Sequence, residues 1–323
     1  MTPICTSIIR RLFILATGLS VVYSISFAFP IAQDQDDNSR QIVLDRFTRA
    51  RPVAASPKSQ TSGVGSRRPS ASAVVKGPRY TRKTAALSAE LKSGFESMEI
   101  GVTIWRLRPS SAEDDRDARV LVMEKAQTKP WTPQRIEADT LLRIGERVRI
   151  SIESPRAGYL YVIDREQYAD GSLGDAYLIF PTNRTRGGDN QVRPGRLVEI
   201  PAQEDNPSYF TLVPTPGRKD QVAEVLSIIV TSEPLPNLPI SDEPLRLSGS
   251  DVAKWERSWS NDVERFEMVG GAGTPWSKVE MQAGASASAR LLTQEEPAPQ
   301  TIYRVSARTK TAFMVTVPLR YGR

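Results

Sequence analysis

One stretch, residues 145–181, constrains the fold more than any other part of the chain. Apolar and polar residues alternate through residues 148–152, which is the two-residue period of a strand with one buried face. Residues 159–163 form an unbroken apolar run, which is typical of a strand covered on both faces, and residues 177–180 form another. Turn-forming residues separate these segments. The stretch therefore predicts three consecutive strands with a half-buried first member.

The rest of residues 84–323 repeats this pattern of short strands with frequent Pro and Gly turns. No regular alternation of strand and helix is present, which favours a sandwich over an α/β sheet. We predict a mainly β fold of about nine or ten strands, a β-sandwich that is Ig-like in general architecture, with two or three accessory helices. Strands are predicted, in addition to the three above, at residues 100–107, 118–125, 197–200, 209–213, 222–231, 301–305 and 312–319.

Helical spacing of apolar residues predicts a helix at residues 84–98 and a clear amphipathic helix at residues 251–268, ended by Gly270 and Gly271. On the second helix Trp255 and Trp259 lie four residues apart, and we interpret them as core anchors. A weaker helix is predicted to start with Thr274 as its cap. Trp131 lies between two prolines and is assigned to a connection.

Residues 1–28 have the features of a secretory signal peptide. Arg10 and Arg11 precede an apolar stretch, and Ser26 and Ala28 supply the small residues of a cleavage site. The alternative is an uncleaved anchor, since the apolar stretch is near the lower length for spanning a bilayer, about 17 residues. Cys5, the only cysteine, lies inside this segment. The expected location is therefore secreted or periplasmic, with no disulfide in the mature chain.

Residues 29–83 are predicted to form a disordered basic linker, because Pro, Ser and Gly are frequent and periodic apolar residues are scarce. Residues 40–83 hold eleven Lys or Arg and one acid, Asp45, so the calculated pI near 9.4 describes this segment rather than the remainder. Two interpretations stay open: a self-repelling spacer, or a tether for anionic lipid headgroups or wall polymers. Few aromatic residues are available for stacking, which argues against nucleic acid as a partner. Membrane contact is expected only through the signal peptide or this linker.

The central stretch resembles a known bacterial family. Residues 145–164 read GERVRISIESPRAGYLYVID, and a loop containing Asp170 and Gly171, then AYLIFPTN and VEIP, follow. This order resembles the uncharacterised "domain of unknown function 4384", over residues 141–213. The chain departs from that family in its longer 164–175 loop and in the position of Asn183, two residues after Pro181. The resemblance implies a β-rich, often exported accessory or sensing unit, and it supplies no catalytic residue.

Composition excludes several kinds of chemistry. The chain has no histidine and no cysteine after Cys5, so a Ser–His–acid triad, a Cys–His pair and a His-bearing zinc site are ruled out. Phosphate-binding loops and dinucleotide fingerprints are absent as well. Carboxylate chemistry remains, but the acid pairs Asp114–Asp115 and Glu204–Asp205 are interpreted as solvated surface. We therefore predict no enzyme activity, no catalytic residue, no cofactor and no metal site.

Two loops carry the remaining hypotheses. The 164–175 loop offers four carboxylates for a hard cation, but it lacks EF-hand spacing, which favours a plain hairpin with Asp170–Gly171 as its turn. The second loop, residues 184–196, contains four arginines. Their guanidinium groups are candidates for binding a carboxylate or phosphate group of a ligand, and the alternative is that they are scattered, solvated side chains. The candidate ligand-binding residues there are Arg184, Arg186, Arg193 and Arg196.

The functional prediction is an exported, non-catalytic binding or interaction module of the bacterial cell envelope, whose partner is a protein or an envelope polymer. The alternatives are a carboxylate-dependent hydrolase acting on glycans and a structural envelope component. A pocket with two facing acids favours the hydrolase, and an Arg-lined loop face favours the binding module. The sequence does not give the oligomeric state.

Overall fold

The protein folds into two β-sheets and three α-helices over the residues that the computed structural model describes, which are 42–54, 78–83, 96–124, 127–259, 262–307 and 311–322. The helices are α1 (42–49), α2 (Gly249–Trp259) and α3 (Lys278–Gly284). The strands are β1 (Tyr80–Arg82), β2 (Glu96–Pro109), β3 (Val120–Glu124), β4 (Gln127–Ile136), β5 (Arg147–Glu153), β6 (Gly158–Tyr168), β7 (Tyr177–Phe180), β8 (Gln191–Val192), β9 (Leu197–Ile200), β10 (Phe210–Thr211), β11 (Gln221–Thr231), β12 (Leu245–Arg246), β13 (Val263–Met268), β14 (Thr301–Ala307) and β15 (Ala312–Arg320).

The larger sheet has nine strands and the smaller one six, and their pairings are antiparallel. The larger sheet runs β1-β13-β14-β2-β4-β3, with β5 joined to β2 and to β9 and β10. The smaller sheet runs β12-β7-β6-β11-β15, with β8 joined to β6. Both sheets contribute to one apolar core, for example Ile100 and Ile150 from the larger and Leu160 and Ile228 from the smaller. The predicted mainly β, sandwich-like fold is confirmed.

Helix α2 covers the outer face of the smaller sheet. Trp255 and Trp259 stack with ring centroids 6.0 Å apart and pack on a second apolar cluster that includes Tyr161, Ile163 and Ile229. Strand β6 is therefore apolar at successive positions because one face meets the sandwich core and the other meets α2. The interpretation of both tryptophans as core anchors is confirmed.

The outer face of the larger sheet is a buried polar layer. Strand β5 was predicted to be half-buried, but Arg149, Ser151 and Glu153 on its outer face are enclosed as well. The charge of Arg149 is compensated: its Nη2 lies 2.5 Å from Glu199 Oε2, and its guanidinium group lies 5.0 Å from the centroid of the Trp276 ring. The polar positions of an alternating strand face solvent only when no other part of the chain packs over them. Here segments that are distant in the sequence pack over β5, and its buried polar groups therefore need partners.

Two segments of the predicted linker are part of the fold, and the prediction of disorder is wrong for them. Residues 42–54 contain α1, and residues 78–83 contain β1, which pairs with β13. Phe47 is completely buried and packs with Tyr80, Phe266 and Ile302. A few apolar side chains suffice here because they complete a core that the rest of the domain has already begun. Residues 29–41 and 55–77 lie outside the described residues, as do residues 1–28 with the predicted signal peptide.

The predicted helices need correction at their ends. Of the helix predicted at 84–98, residues 84–95 lie outside the described residues, and Glu96–Met98 begins β2. The helix predicted at 251–268 is α2 only as far as Trp259, and its second half is β13. The valine and phenylalanine in that half fit the apolar spacing of a helix as well as that of a strand. The segment forms a strand because it pairs with β1 and β14.

Three local assignments also change. Trp131 belongs to β4 rather than to a connection. Its flanking prolines are tolerated because each lies where β4 has one neighbouring strand, Pro130 beside β3 and Pro133 beside β2. Gly270 and Gly271 follow β13 and so end no helix. The last helix starts at Lys278 with Ser277 as its cap, not Thr274, since Ser277 and Glu280 form a reciprocal capping box. Within the described residues no helix is long and apolar enough to cross a membrane.

Close packing over β2 gives a first test of this arrangement. A Cβ at Gly101 would lie 2.5 Å from Pro299 Cγ and 2.7 Å from Phe47 Cζ. We expect Gly101→Ala to lower the free energy of unfolding by about 1–3 kcal/mol through overpacking, measured by urea denaturation. The control is Gly249→Ala, at the start of α2, where a Cβ meets nothing within 4 Å. Equal stability of both variants would contradict the packing of Phe47 on β2.

Candidate anion-binding cleft

A cleft of about 470 Å³ opens beside the amino end of β6. One wall is β8 with the turn after it, and the opposite wall is the chain at residues 288–291. Strand β8 is held in place by its pairing with β6, where Val192 lies opposite Gly158 and Gln191 opposite Tyr159. The volume lies in the range of about 300–1,000 Å³ that is usual for small-ligand pockets.

The two walls are fastened to each other through Gly195. This residue has φ +79°, and the Leu292 amide donates a hydrogen bond of 2.7 Å to its carbonyl oxygen. A Cβ at Gly195 would lie 2.4 Å from the Leu292 carbonyl oxygen, so only glycine permits this approach. The turn itself is closed by a 3.0 Å bond from the Arg196 amide to the Arg193 carbonyl.

Three arginines line the cleft: Arg193 and Arg196 from the turn, and Arg290 from the opposite wall. Arg196 donates to the Gln191 carbonyl (3.0 Å) and, through Nη2, to Asp189 Oδ2 (2.5 Å). Arg290 Nη2 donates to Glu296 Oε1 at 2.5 Å. Arg193 is exposed and has no ion pair among the described residues. Two guanidinium groups are thus held by a carboxylate each while the third is free to turn.

The charge balance of the cleft is positive, because three guanidinium groups face two carboxylates. Asp189 contributes one of those carboxylates. Burial alone would raise the pKa of Asp189, but the hydrogen bonds from Arg196 and the Gln191 amide, together with the charges of Arg196 and Arg186, outweigh it and hold that pKa below its usual range. The carboxylate that orients Arg196 therefore stays charged, and the remaining positive charge attracts an anionic group.

The predicted ligand-binding set is divided by the fold. Arg193 and Arg196 line the cleft, whereas Arg184 is exposed and pairs with Glu243. Arg186 lies outside the lining, in a short 3₁₀ turn, with φ +59° and a pKa lowered by burial. Sequence reasoning missed Arg290, because no local signal connects it to a turn about 95 residues earlier.

The 164–175 loop is a hairpin with Asp170–Gly171 at its turn, as predicted. The Gly171 amide donates to the Tyr168 carbonyl at 2.9 Å, and the Ser172 amide and hydroxyl donate to Asp170 Oδ1. Its first residues extend β6, and Asp175 pairs with Arg246. The described parts of the chain contain no group of three or more Asp, Glu, His or Cys side chains placed to hold a metal ion.

The acid pairs interpreted as solvated surface have structural partners. Asp114 receives both terminal nitrogens of Arg108, at 2.6 and 2.8 Å, and its side chain is only 6% exposed, so the interpretation is wrong for this residue. Asp205 accepts a hydrogen bond from the Thr185 hydroxyl at 2.6 Å. Glu204 accepts from the Ser286 amide at 3.1 Å.

Comparison with known proteins identifies one region. Residues 141–231 match the family described as domain of unknown function (DUF4384), which confirms the resemblance and extends it beyond residue 213 to the end of β11. No curated protein and no solved structure matches the chain. The matched region includes Arg193 and Arg196 but not Arg290.

Proposed function

We propose that this protein is an exported, non-catalytic binding module of the cell envelope that recognises an anionic envelope polymer. The observation that carries the proposal is the convergence of Arg193, Arg196 and Arg290 on one cleft. Guanidinium groups recognise carboxylates and phosphates with two parallel hydrogen bonds, and envelope polymers carry both groups. The signal-peptide features of residues 1–28 support export.

The rest of the cleft suits a polymer that carries polar groups besides its charges. Gln191, Ser232 and Ser288 add hydrogen-bonding groups to the lining. Pre-formed walls reduce the ordering that binding requires, because Arg196 and Arg290 are already oriented by Asp189 and Glu296.

The hydrolase alternative has less support. Two acids do face each other in the fold, since Glu166 of β6 lies directly opposite Glu224 of β11. Neither lines the cleft, and their oxygens accept hydrogen bonds from Thr215, Gln221 and Tyr321. The two carboxylates next to the arginines, Asp189 and Glu296, are each bound by a guanidinium group and do not line the cleft, so a glycosidic bond held there would have no free carboxylate pair beside it.

Binding to defined polymers tests the proposal. The probes are polygalacturonate, which carries carboxylates, poly(glycerol phosphate), which carries phosphates, and neutral dextran. We expect the protein to bind at least one charged probe with an affinity that falls as salt rises, and to ignore dextran. Arg193→Ala and Arg290→Ala are each expected to weaken that binding about tenfold or more, measured by calorimetry.

Arg184→Ala is the matched control, because it removes an exposed arginine of the same loop that lies outside the cleft. The basic segment before residue 84 is the same in all variants, so any difference among them reports the cleft. Equal affinity for dextran and for both charged probes would refute the proposal. Cleft variants that bind as well as the Arg184→Ala control would refute it too.

A further inference from the structure

Three carboxyl groups share the inner face of the smaller sheet at the end farthest from the cleft. Asp164 and Glu166 continue the face of β6 that Leu160 and Val162 present to the core, because alternate residues of a strand share a face. Glu224 of β11 lies directly opposite Glu166. Like charges at directly opposed positions of an antiparallel pair repel each other, so this arrangement requires an explanation.

The carboxyl groups fasten two other parts of the chain. Thr215 Oγ1 donates to Glu166 Oε1 at 2.9 Å, which ties down the loop before β11. Tyr321 Oη and Gln221 Nε2 each donate to Glu224 Oε1 at 2.8 Å, and the Tyr321 hydroxyl ties down the residues after β15. Asp164 ties down neither part: its carboxyl group receives the backbone amide of the adjacent Arg165, and its Oδ1 is shielded from solvent with no hydrogen-bond partner in the described chain.

No arginine or lysine among the described residues forms an ion pair with any of these three acids. Tyr177 of β7 lies opposite Asp164, and the nearby Arg218 is engaged elsewhere, stacked on the Tyr168 ring and bound to Asp220 at 2.9 and 3.0 Å. The groups that face the cluster are therefore acids, hydroxyls, phenols and one amide: Asp164, Glu166, Tyr177, Thr215, Gln221, Glu224 and Tyr321.

The protonation states follow from this surrounding. Burial, and next to it the charges of Glu224 and Glu166, raise the pKa of Asp164 from 3.8 to about 8. Burial also raises the pKa of Glu224 and that of the Tyr321 phenol, so the phenol stays a hydrogen-bond donor. Asp164 is thus neutral at pH 7, which removes one of three negative charges from the group.

We propose that Asp164, Glu166, Glu224 and Tyr321 form a proton-dependent clasp: Glu166 and Glu224 hold the loop at 213–220 and the residues after β15 while a proton keeps Asp164 neutral, and loss of that proton releases both segments because the third charge repels the two carboxylates that hold them. We call these four residues the carboxyl clasp. The folded protein binds this proton more tightly than the opened one, in which Asp164 returns to its ordinary pKa. The clasp is therefore fully stabilised below pH 4, weakens as pH rises from 4 to 8, and has lost that contribution above 8.

Hydrogen exchange followed by mass spectrometry tests the clasp. Exchange of amides at residues 213–224 and 319–322 is compared at pH 6 and pH 9 and corrected for the intrinsic effect of pH. We expect the opening equilibrium to rise about tenfold or more in the native chain. In Asp164→Asn, which stays neutral, the rise is expected to fall below about threefold. Amides of β14, in the other sheet, are the internal reference.

Asp170→Asn is the matched control, because this exposed acid lies on the same hairpin outside the clasp and should keep the full pH response. Equal opening at both pH values in the native chain, or an undiminished rise in Asp164→Asn, would overturn the proposal. Should Asp164→Asn fail to fold, Tyr321→Phe replaces it. That variant removes the donor to Glu224 and is expected to open the same amides severalfold at pH 6; unchanged protection at pH 6 would overturn the clasp.

Discussion

A chain that begins at residue 84 is expected to show no cooperative unfolding transition, although the sequence alone assigns the whole domain to residues 84–323. The deletion removes Val43, Leu44, Phe47 and Tyr80, which are all buried in one apolar cluster. Truncating a single buried side chain of this size costs about 2–5 kcal/mol, and a typical domain has only about 5–15 kcal/mol of stability. The stabilising free energy lost with these four side chains therefore exceeds the free energy of unfolding expected for the whole domain.

The measurement is thermal unfolding followed by circular dichroism, in chains that begin at residues 29, 41 and 84. The chain from residue 41 keeps every described residue and should unfold like the chain from residue 29. A sharp transition in the chain from residue 84, at the same temperature as the other two, would mean that α1 and β1 are not part of the domain.

The second large effect is expected from Arg51, whose side chain is almost completely buried. Its Nε and Nη2 each lie 2.7 Å from an oxygen of Glu153, and its remaining donors bind the carbonyl oxygens of Thr293, Glu296 and Pro297. Arg51→Ala leaves the Glu153 charge buried and removes the donor to the carbonyls of Glu296 and Pro297, while the Thr293 carbonyl keeps its 3.2 Å bond from the Glu296 amide. We expect the free energy of unfolding to fall by about 3–5 kcal/mol.

Urea denaturation measures this loss, and Arg49→Ala provides the control two residues away. Arg49 forms an exposed pair with Asp45 of its own helix, a contact that contributes about 0.3–0.5 kcal/mol. Replacing both partners, as Arg51→Met with Glu153→Met, should recover part of the loss, since no unpaired charge remains. If Arg51→Ala and Arg49→Ala have the same stability, the buried pair does not hold the domain together.

The sequence predicts the strands well wherever the pattern is local. Strands β7 and β9 have the predicted bounds, and β5, β6 and β11 differ from prediction only at their ends or by an extension. Every second side chain in these strands faces the core, and this two-residue period is visible in the sequence itself. The family match covers this same central region.

Prediction fails where distant segments decide the outcome. Residues 42–54 look disordered because their average composition is basic and polar, yet Phe47 and Arg51 find partners at Ile302 and Glu153. Composition averages over a window, while burial depends on single side chains and on the surface they meet. Arg290 joins the cleft for the same reason, through the tertiary contact of Leu292 with Gly195.

The bonds from Arg51 to the carbonyls of Thr293, Glu296 and Pro297 also set the order in which the molecule can be completed. They join the chain just after α1 to a segment some 240 residues later, which directly follows Arg290 and the wall of the cleft. Contacts between positions so far apart in the chain form late, after the intervening chain is available. A chain that crosses a membrane amino end first would therefore have no finished cleft until residue 290 had emerged. Under the proposed function, ligand binding would therefore begin only on the far side of that membrane, after residue 290 had been delivered.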